Sequence, residues 1–144
     1  KRVNVIYFQI VRRQFKKVIK KHKKFKRKTN AMELSRVSQL VKGNIVYESE
    51  ISPQLEFAFS SDLMSDVLRF HMEKTILITG LSTVQTLRTA EMSNIECIIF
   101  ARDKKVTDDM IELAAENNIS IITTPLTLFE VSGRLYTNGI KPIF

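Results

Sequence analysis

The chain has 144 residues, enough for one domain with a single hydrophobic core. Its net charge of +8 is unevenly distributed, because residues 1–31 carry 13 of the 23 lysines and arginines and no acidic residue. Residues 32–144 therefore hold ten basic against all 15 acidic residues, so nucleic-acid binding through overall charge is excluded outside the first 31 residues. No apolar stretch approaches the ~20 residues needed to cross a bilayer.

The basic N-terminal segment, residues 1–31, has three interpretations. Its apolar residues include Phe8, Val11 and Phe15, whose spacing allows a basic amphipathic helix on an anionic membrane surface. A flexible arm that binds nucleic acid is the second interpretation. The third, which we favour, is an extension that is not native, because Met32 resembles a natural start and an over-extended reading frame would give such a composition. We expect the segment to be disordered or helical.

Residues 32–144 alternate between helix-like and strand-like patterns. A helix begins near Leu34 and ends at Gly43, and a short strand follows at residues 44–48. The next predicted elements are a strand at 57–59, a helix at 63–73, a strand at 75–78, a helix at 82–93, a strand at 96–101, a helix at 108–117, a strand at 119–123 and a helix at 126–136. This alternation predicts a single α/β domain with a mostly parallel sheet.

The only cysteine, Cys97, lies within a predicted central strand. A single cysteine cannot form an internal disulfide, and nothing in the sequence resembles a secretory signal, so we expect a reducing, cytoplasmic environment. The surrounding apolar residues predict that Cys97 is a buried and unreactive side chain.

Small hydroxyl residues follow three of the predicted strands. The carboxyl ends of parallel strands lie at one edge of a sheet, where α/β proteins bind ligands and where helix N-termini favour anions. The predicted ligand-binding residues are Ser61, Asp62, Thr79, Gly80, Ser82, Thr83, Thr123 and Thr124, with Arg88 in the next helix, or Arg102 after the following strand, supplying positive charge. The alternative is that these hydroxyl groups only cap helices, which requires no ligand.

Catalytic and metal-binding patterns are weak in this sequence. Serines such as Ser61 and Ser82 could act as nucleophiles only with a general base nearby. His71 is the only histidine after residue 31, and the sequence has no nucleophile-elbow motif. Asp62 and Asp66 are four residues apart and could meet a divalent ion, but a capping carboxylate followed by a solvent-facing acid explains them better. We therefore predict no catalytic residues, no metal and no cofactor.

Four blocks in the second part of the chain resemble the DRTGG domain family. They comprise residues 61–68, residues 77–81 with Gln85 and 88–92, residues 98–102 with Lys104, and residues 124–126 with 129–130 and 133–136. The resemblance implies a fold similar to the N-terminal domain of the HPr serine kinase, in a bacterial, non-catalytic regulatory module found alone or beside CBS domains. The pentapeptide that names the family is absent, and the glycines lack the spacing of a P-loop, so a kinase activity is not implied.

These observations lead to two functional hypotheses. The first is a non-enzymatic regulatory, ligand-sensing or protein-interaction module that binds a phosphate-bearing or nucleotide-like anion at the strand ends. The apolar C-terminal residues 126–144 could cover a sheet edge or a second subunit, so we expect a homodimer. The alternative is a protein that binds nucleic acid or a membrane surface through its basic N-terminal segment, if that segment is native.

Overall fold

The computed structural model describes Gln14 and residues 30–144. The chain divides into two compact units, Lys1–Asn30 and Ala31–Phe144, and the architecture below is that of the second unit. The expectations for the basic N-terminal segment fall outside the described residues. Within the described part of the chain, no helix combines the length and the apolar character that crossing a membrane requires.

Strands and helices alternate through most of the second unit. In chain order the elements are α1 (Leu34–Leu40), β1 (Asn44–Tyr47), β2 (Phe57–Ser60), α2 (Met64–Val67), β3 (Thr75–Thr79), α3 (Val84–Met92), β4 (Cys97–Phe100), α4 (Asp108–Glu116), β5 (Ser120–Thr123), α5 (Leu128–Thr137) and β6 (Lys141–Pro142). The threonines that precede α3, α4 and α5 each accept a hydrogen bond from a backbone N–H in the first turn of the helix.

The six strands form one sheet in the order β1-β5-β4-β3-β2-β6. Strand β1 pairs with β5 in antiparallel orientation, and all other neighbours are parallel. The prediction of an α/β domain with a mostly parallel sheet is therefore confirmed. Strands β2 to β5 lie side by side in chain order, so the connections that follow them meet at one edge of the sheet.

Both faces of the sheet are covered, which explains the continuous apolar sequence of β3 and β4. Ile76 and Ile78 contribute to a cluster that includes side chains from α1 and α5, whereas Leu77 contributes to a cluster with α2, α3 and α4. Cys97 belongs to the first cluster and is fully buried. Burial raises the pKa of the Cys97 thiol, so the side chain is an unreactive hydrophobic group, as predicted.

The helix predicted at residues 63–73 is wrong in its extent. Helix α2 ends at Val67, its only fully buried residue, and Leu68 directly after it is exposed. Beyond Val67 the chain turns, and the N–H of Met72 donates to the carbonyl oxygen of Ser93 before the chain enters β3. Tertiary contacts therefore override the apolar periodicity of this segment.

The C-terminal residues supply a sixth strand that the sequence did not suggest. Lys141 and Pro142 lie parallel to Phe57 and Ala58 at the edge of β2. The ring of Pro142 suits an edge strand, because proline cannot donate a hydrogen bond to a further strand. This segment thus lies over one edge of the sheet, next to helix α5.

Candidate functional site

Three neighbouring strands bring polar groups together at the carboxyl edge of the sheet. Asp62 follows β2, Thr79 ends β3 with Gly80 directly after it, and Arg102 follows β4. Because β2, β3 and β4 are adjacent and parallel, these four residues meet although up to 40 residues separate them in the sequence. This is the edge at which open α/β sheets bind ligands.

The carboxylate of Asp62 lies at the centre of this group. Its Oδ1 accepts hydrogen bonds from the backbone N–H of Gly80 at 2.6 Å and from the hydroxyl of Thr79 at 3.1 Å. Its Oδ2 forms an ion pair with Nη2 of Arg102 at 2.9 Å. We call the Thr79 hydroxyl, the Gly80 N–H and the Arg102 guanidinium the donor cluster.

The donor cluster changes the ionisation of Asp62. Partial burial of the carboxyl group acts to raise its pKa, but the hydrogen bonds from Gly80, Arg102 and Thr79 together outweigh that effect and hold the pKa below its ordinary value. Asp62 is therefore ionised at neutral pH. The donors stabilise a negative charge at this position, which is the electrostatic property expected of an oxyanion site.

Arg102 reaches Asp62 because Gly80 has no side chain. A Cβ atom on Gly80 would overlap the Arg102 guanidinium group, which lies against the glycine backbone. Arg102 and Asp103 adopt the left-handed region, with φ of 62° and 54°. Their backbone N–H groups donate to the carbonyl oxygens of Leu126 and Thr124, so the connection after β5 holds this uncommon conformation in place.

Several predicted site residues use their hydroxyl groups within the local backbone. The Ser61 hydroxyl accepts a hydrogen bond from the N–H of Leu63 at 3.0 Å. The Ser82 hydroxyl donates to the carbonyl oxygen of Lys105, and Thr83 caps the first turn of α3. These three residues lie close to the donor cluster along the chain, and their hydroxyl groups hold the surrounding turns in place.

The remaining predicted residues have different surroundings. Thr124 is buried, and its hydroxyl donates to the carbonyl oxygen of Val41 at 2.6 Å. Thr123 is half-buried within β5. Arg88 is exposed on α3, and its side chain makes no hydrogen bond or ion pair with the described residues. Arg102 rather than Arg88 therefore supplies the positive charge next to Gly80.

The connection between β4 and α4 also carries two lysines that the site prediction omitted. Lys104 and Lys105 are exposed, two and three residues after Arg102. Their sequence signal is the short run of cations that follows a buried strand. With Arg102, these lysines outnumber the one acidic residue of the connection, Asp103, so the connection carries a net positive charge.

A second feature is an apolar groove between α5 and strands β2 and β6, with a volume of about 320 Å³. Phe129 and Tyr136 line the groove although 89% and 70% of their surfaces are exposed. Gly133 lies between them on the same side of α5, and nothing occupies the space that its Cβ would take. We call this feature the α5 groove.

Among the described residues, no three His, Cys, Asp or Glu side chains lie together as metal ligands. His71 pairs with Glu73 at 3.3 Å, and both side chains are well exposed. No histidine side chain in the described part of the chain forms a hydrogen bond or ion pair with Asp62.

The fold and the site define an α/β domain with a carboxylate held by a hydroxyl, a backbone N–H and a guanidinium group at the carboxyl edge of its sheet. The DRTGG domain profile matches residues 36–137, which is more than half of the chain, and the chain belongs to the DRTGG domain family. No curated protein matches the chain.

A solved structure has a similar fold. It contains the CBS and DRTGG domains of the regulatory region of Clostridium perfringens pyrophosphatase, complexed with an activator, diadenosine tetraphosphate. The TM-score is 0.60 at 19% sequence identity, and the match covers 76% of this chain and 47% of that structure. The chain therefore spans about half the length of that regulatory region.

Proposed function

We propose that this chain is a non-enzymatic regulatory domain that senses a phosphate-bearing, nucleotide-like ligand at the donor cluster. The observation that carries the proposal is the convergence of the Thr79 hydroxyl, the Gly80 N–H and the Arg102 guanidinium on one carboxylate. A phosphate group prefers the same donors, because backbone N–H groups and arginine bind its oxygens with charge-assisted hydrogen bonds.

The comparison with the pyrophosphatase supports the class of ligand. The regulatory region of that enzyme was solved with a dinucleoside polyphosphate, and it contains a DRTGG domain. In the present chain, Lys104 and Lys105 extend the positive charge beyond Arg102, which suits a ligand with more than one phosphate. A role in the cytoplasm agrees with a single, fully buried cysteine.

Calorimetric titration of the full chain with ATP, diadenosine tetraphosphate and inorganic phosphate tests the proposal. The variant Arg102→Gln removes the charge of the donor cluster and is expected to weaken binding by at least about tenfold. Arg36→Gln on α1 is the matched control, because Arg36 is exposed and its side chain makes no hydrogen bond or ion pair with the described residues. Equal affinity of wild type and Arg102→Gln would contradict the proposed site.

Arg88→Gln separates the two cations that the sequence offered. The expected result is unchanged affinity, because Arg88 is exposed on α3 and makes no contact with the donor cluster. Loss of binding in Arg88→Gln together with normal binding in Arg102→Gln would indicate that the ligand binds next to Arg88 on α3 instead.

We also propose that the domain forms a homodimer through the α5 groove. Phe129, Gly133 and Tyr136 are spaced four and three residues apart, so two exposed aromatic rings flank a gap on one side of α5. An antiparallel α5 helix from a second copy can approach closely at Gly133 and place its aromatic rings beside those of the first. Burial of these rings would remove the largest exposed apolar side chains of α5 from water.

Binding through the basic N-terminal segment remains the alternative function. Its support is the concentration of 13 lysines and arginines without an acidic residue in residues 1–31. If this segment binds nucleic acid or anionic lipid, its affinity falls steeply with salt concentration and disappears when residues 1–31 are deleted. Ligand binding at the donor cluster is expected to survive the same deletion.

A further inference from the structure

The Asp62 carboxylate already occupies the position that an anionic ligand would take. Two of its hydrogen bonds come from groups fixed at the end of β3, and its ion pair comes from the connection after β4. The N–H of Gly80 has one hydrogen atom, and at 2.6 Å from Oδ1 that hydrogen is committed to Asp62. A ligand phosphate cannot use the Gly80 N–H or the Thr79 hydroxyl hydrogen while Asp62 holds them, and it must share the Arg102 guanidinium with the carboxylate.

We infer that Asp62 is an internal competitor of the ligand: its carboxylate holds the donor cluster in the unliganded domain, and a phosphate group must displace it to bind. This inference rests on the proposed function of the same site. Two negative groups beside one arginine repel each other, so the ligand and the Asp62 carboxylate exclude each other from the cluster.

The surroundings of Asp62 indicate that Asp62, and not Thr79 or Gly80, moves when a ligand binds. Thr79 and Gly80 are buried, and β3 is hydrogen-bonded to strands on both sides. Asp62 instead lies in the connection to α2, a helix of four residues of which only Val67 is fully buried. About half of the Leu63 and Leu68 surfaces, 57% and 45%, face solvent on either side of this helix.

The displacement therefore provides a route from ligand binding to a change at the surface. When a phosphate takes the donor cluster, the Asp62 side chain loses its hydrogen bonds to the ends of β3 and β4, while the N–H of Ser61 keeps its hydrogen bond to the carbonyl oxygen of Ile78. Helix α2 can then shift about its remaining anchor at Val67, its one fully buried residue, whose carbonyl oxygen accepts a hydrogen bond from the Ser93 hydroxyl. A ligand that binds only the released state moves the population toward that state.

Isothermal titration of the full chain with inorganic phosphate and with ATP, at constant ionic strength, tests the competition. Asp62→Asn keeps the size of the side chain and removes the competing charge, and it is expected to bind about tenfold more tightly than wild type. Asp66→Asn is the matched control, because it makes the same charge change four residues away without touching the donor cluster. Asp62→Ala repeats the test without any side-chain acceptor, provided that it unfolds cooperatively like wild type.

The outcomes separate this inference from the proposed function. Tighter binding by Asp62→Asn with unchanged Asp66→Asn supports the competition. Equal affinities of wild type and Asp62→Asn, with binding lost in Arg102→Gln, overturn the competition and leave the site intact. An equal gain in affinity in Asp62→Asn and Asp66→Asn indicates general charge repulsion and overturns the competition. Loss of binding in Asp62→Asn makes Asp62 a ligand contact and also overturns the competition. Absence of binding in every variant overturns the proposed function itself.

Discussion

The guanidinium group of Arg102 lies in the space where the Cβ of any other residue at position 80 would stand. This relationship lets Arg102 cross the end of β3 and reach the Asp62 carboxylate on the far side. The site therefore depends on a glycine for space rather than for backbone freedom, because Gly80 has no positive φ. The ion pair between Arg102 and Asp62 therefore requires glycine at position 80.

Gly80→Ala is expected to move Arg102 without unfolding the domain. The new methyl group overlaps the end of a flexible side chain, so Arg102 swings away and its ion pair with Asp62 is lost. The free energy of unfolding should fall by less than about 1 kcal/mol, since ion pairs of this exposure contribute little. Ligand affinity should fall as much as in Arg102→Gln, which calorimetry can measure.

Gly133→Ala is the control for this substitution. Position 133 lies within α5 and has open space for a methyl group within one copy of the chain, so alanine should stabilise the monomeric domain, measured at low concentration, by about 0.5–1 kcal/mol through its higher helix propensity. Its ligand affinity should equal that of wild type. Normal ligand binding by Gly80→Ala would show that ligand binding does not require Arg102 in its present position.

The stability contribution of Asp62 should depend on pH. Its pKa is lower in the folded domain than the ordinary value of 3.8, so the ionised carboxylate stabilises the fold above that value. The contribution is lost as the pH falls through the lowered pKa of the folded state. The free energies of unfolding of wild type and Asp62→Asn, measured in urea, should therefore differ by a constant amount from pH 7 down to about pH 5. The difference should shrink as the pH falls further below about 4.

Asp66→Asn is the control in the same experiment, because it makes the same charge change where the side chain has no hydrogen bond or ion pair with the described residues. If the difference between wild type and Asp62→Asn stays constant at low pH, the hydrogen bonds from Gly80 and Thr79 do not depend on the charge of Asp62.

Thr124→Val should affect stability and leave the ligand site unchanged. The buried hydroxyl donates to the Val41 carbonyl oxygen and accepts the N–H of Leu126, and valine leaves both groups unsatisfied. The expected loss is about 1–3 kcal/mol in the free energy of unfolding. Thr123→Val is the matched control, since the Thr123 hydroxyl makes no hydrogen bond within the described residues. Weaker ligand binding in a folded Thr124→Val variant would instead place Thr124 in the site.

The sequence predicted the architecture well because short-range patterns determine it. The apolar runs of β3 and β4 indicated buried strands, and the helices predicted at 82–93 and 108–117 lie close to the observed α3 and α4. The antiparallel position of β1 and the strand β6 were not predictable, because they depend on how distant segments meet.

The site could be predicted only in part. Clustering polar residues at strand ends brought Asp62, Thr79 and Gly80 together, since adjacent parallel strands end at one edge. The choice between Arg88 and Arg102 was beyond the sequence, because it depends on a left-handed backbone conformation at Arg102 that contacts after β5 maintain. The hydroxyl of Thr124 points to a carbonyl oxygen 83 residues earlier in the chain, and no local pattern shows this.

The proposed homodimer predicts that the α5 groove controls the molecular mass in solution. Phe129→Ser removes one exposed ring and should shift the full chain toward monomer in light scattering coupled to size-exclusion chromatography. Met92→Ser, on α3, is the control, because Met92 is also 71% exposed and does not line the groove. A wild-type chain that is monomeric at high concentration would contradict the dimer.

The most direct test follows the Gly80 amide by two-dimensional ¹H–¹⁵N NMR while ATP is added to the full chain. The chain has only four glycines, and Gly133 and Gly139 serve as internal references because they lie on or just after α5. We predict that the Gly80 resonance shifts saturably, because its hydrogen-bond acceptor changes from the Asp62 carboxylate to a phosphate oxygen, while both references stay in place. A Gly80 resonance that does not move at saturating ligand would contradict the proposed site.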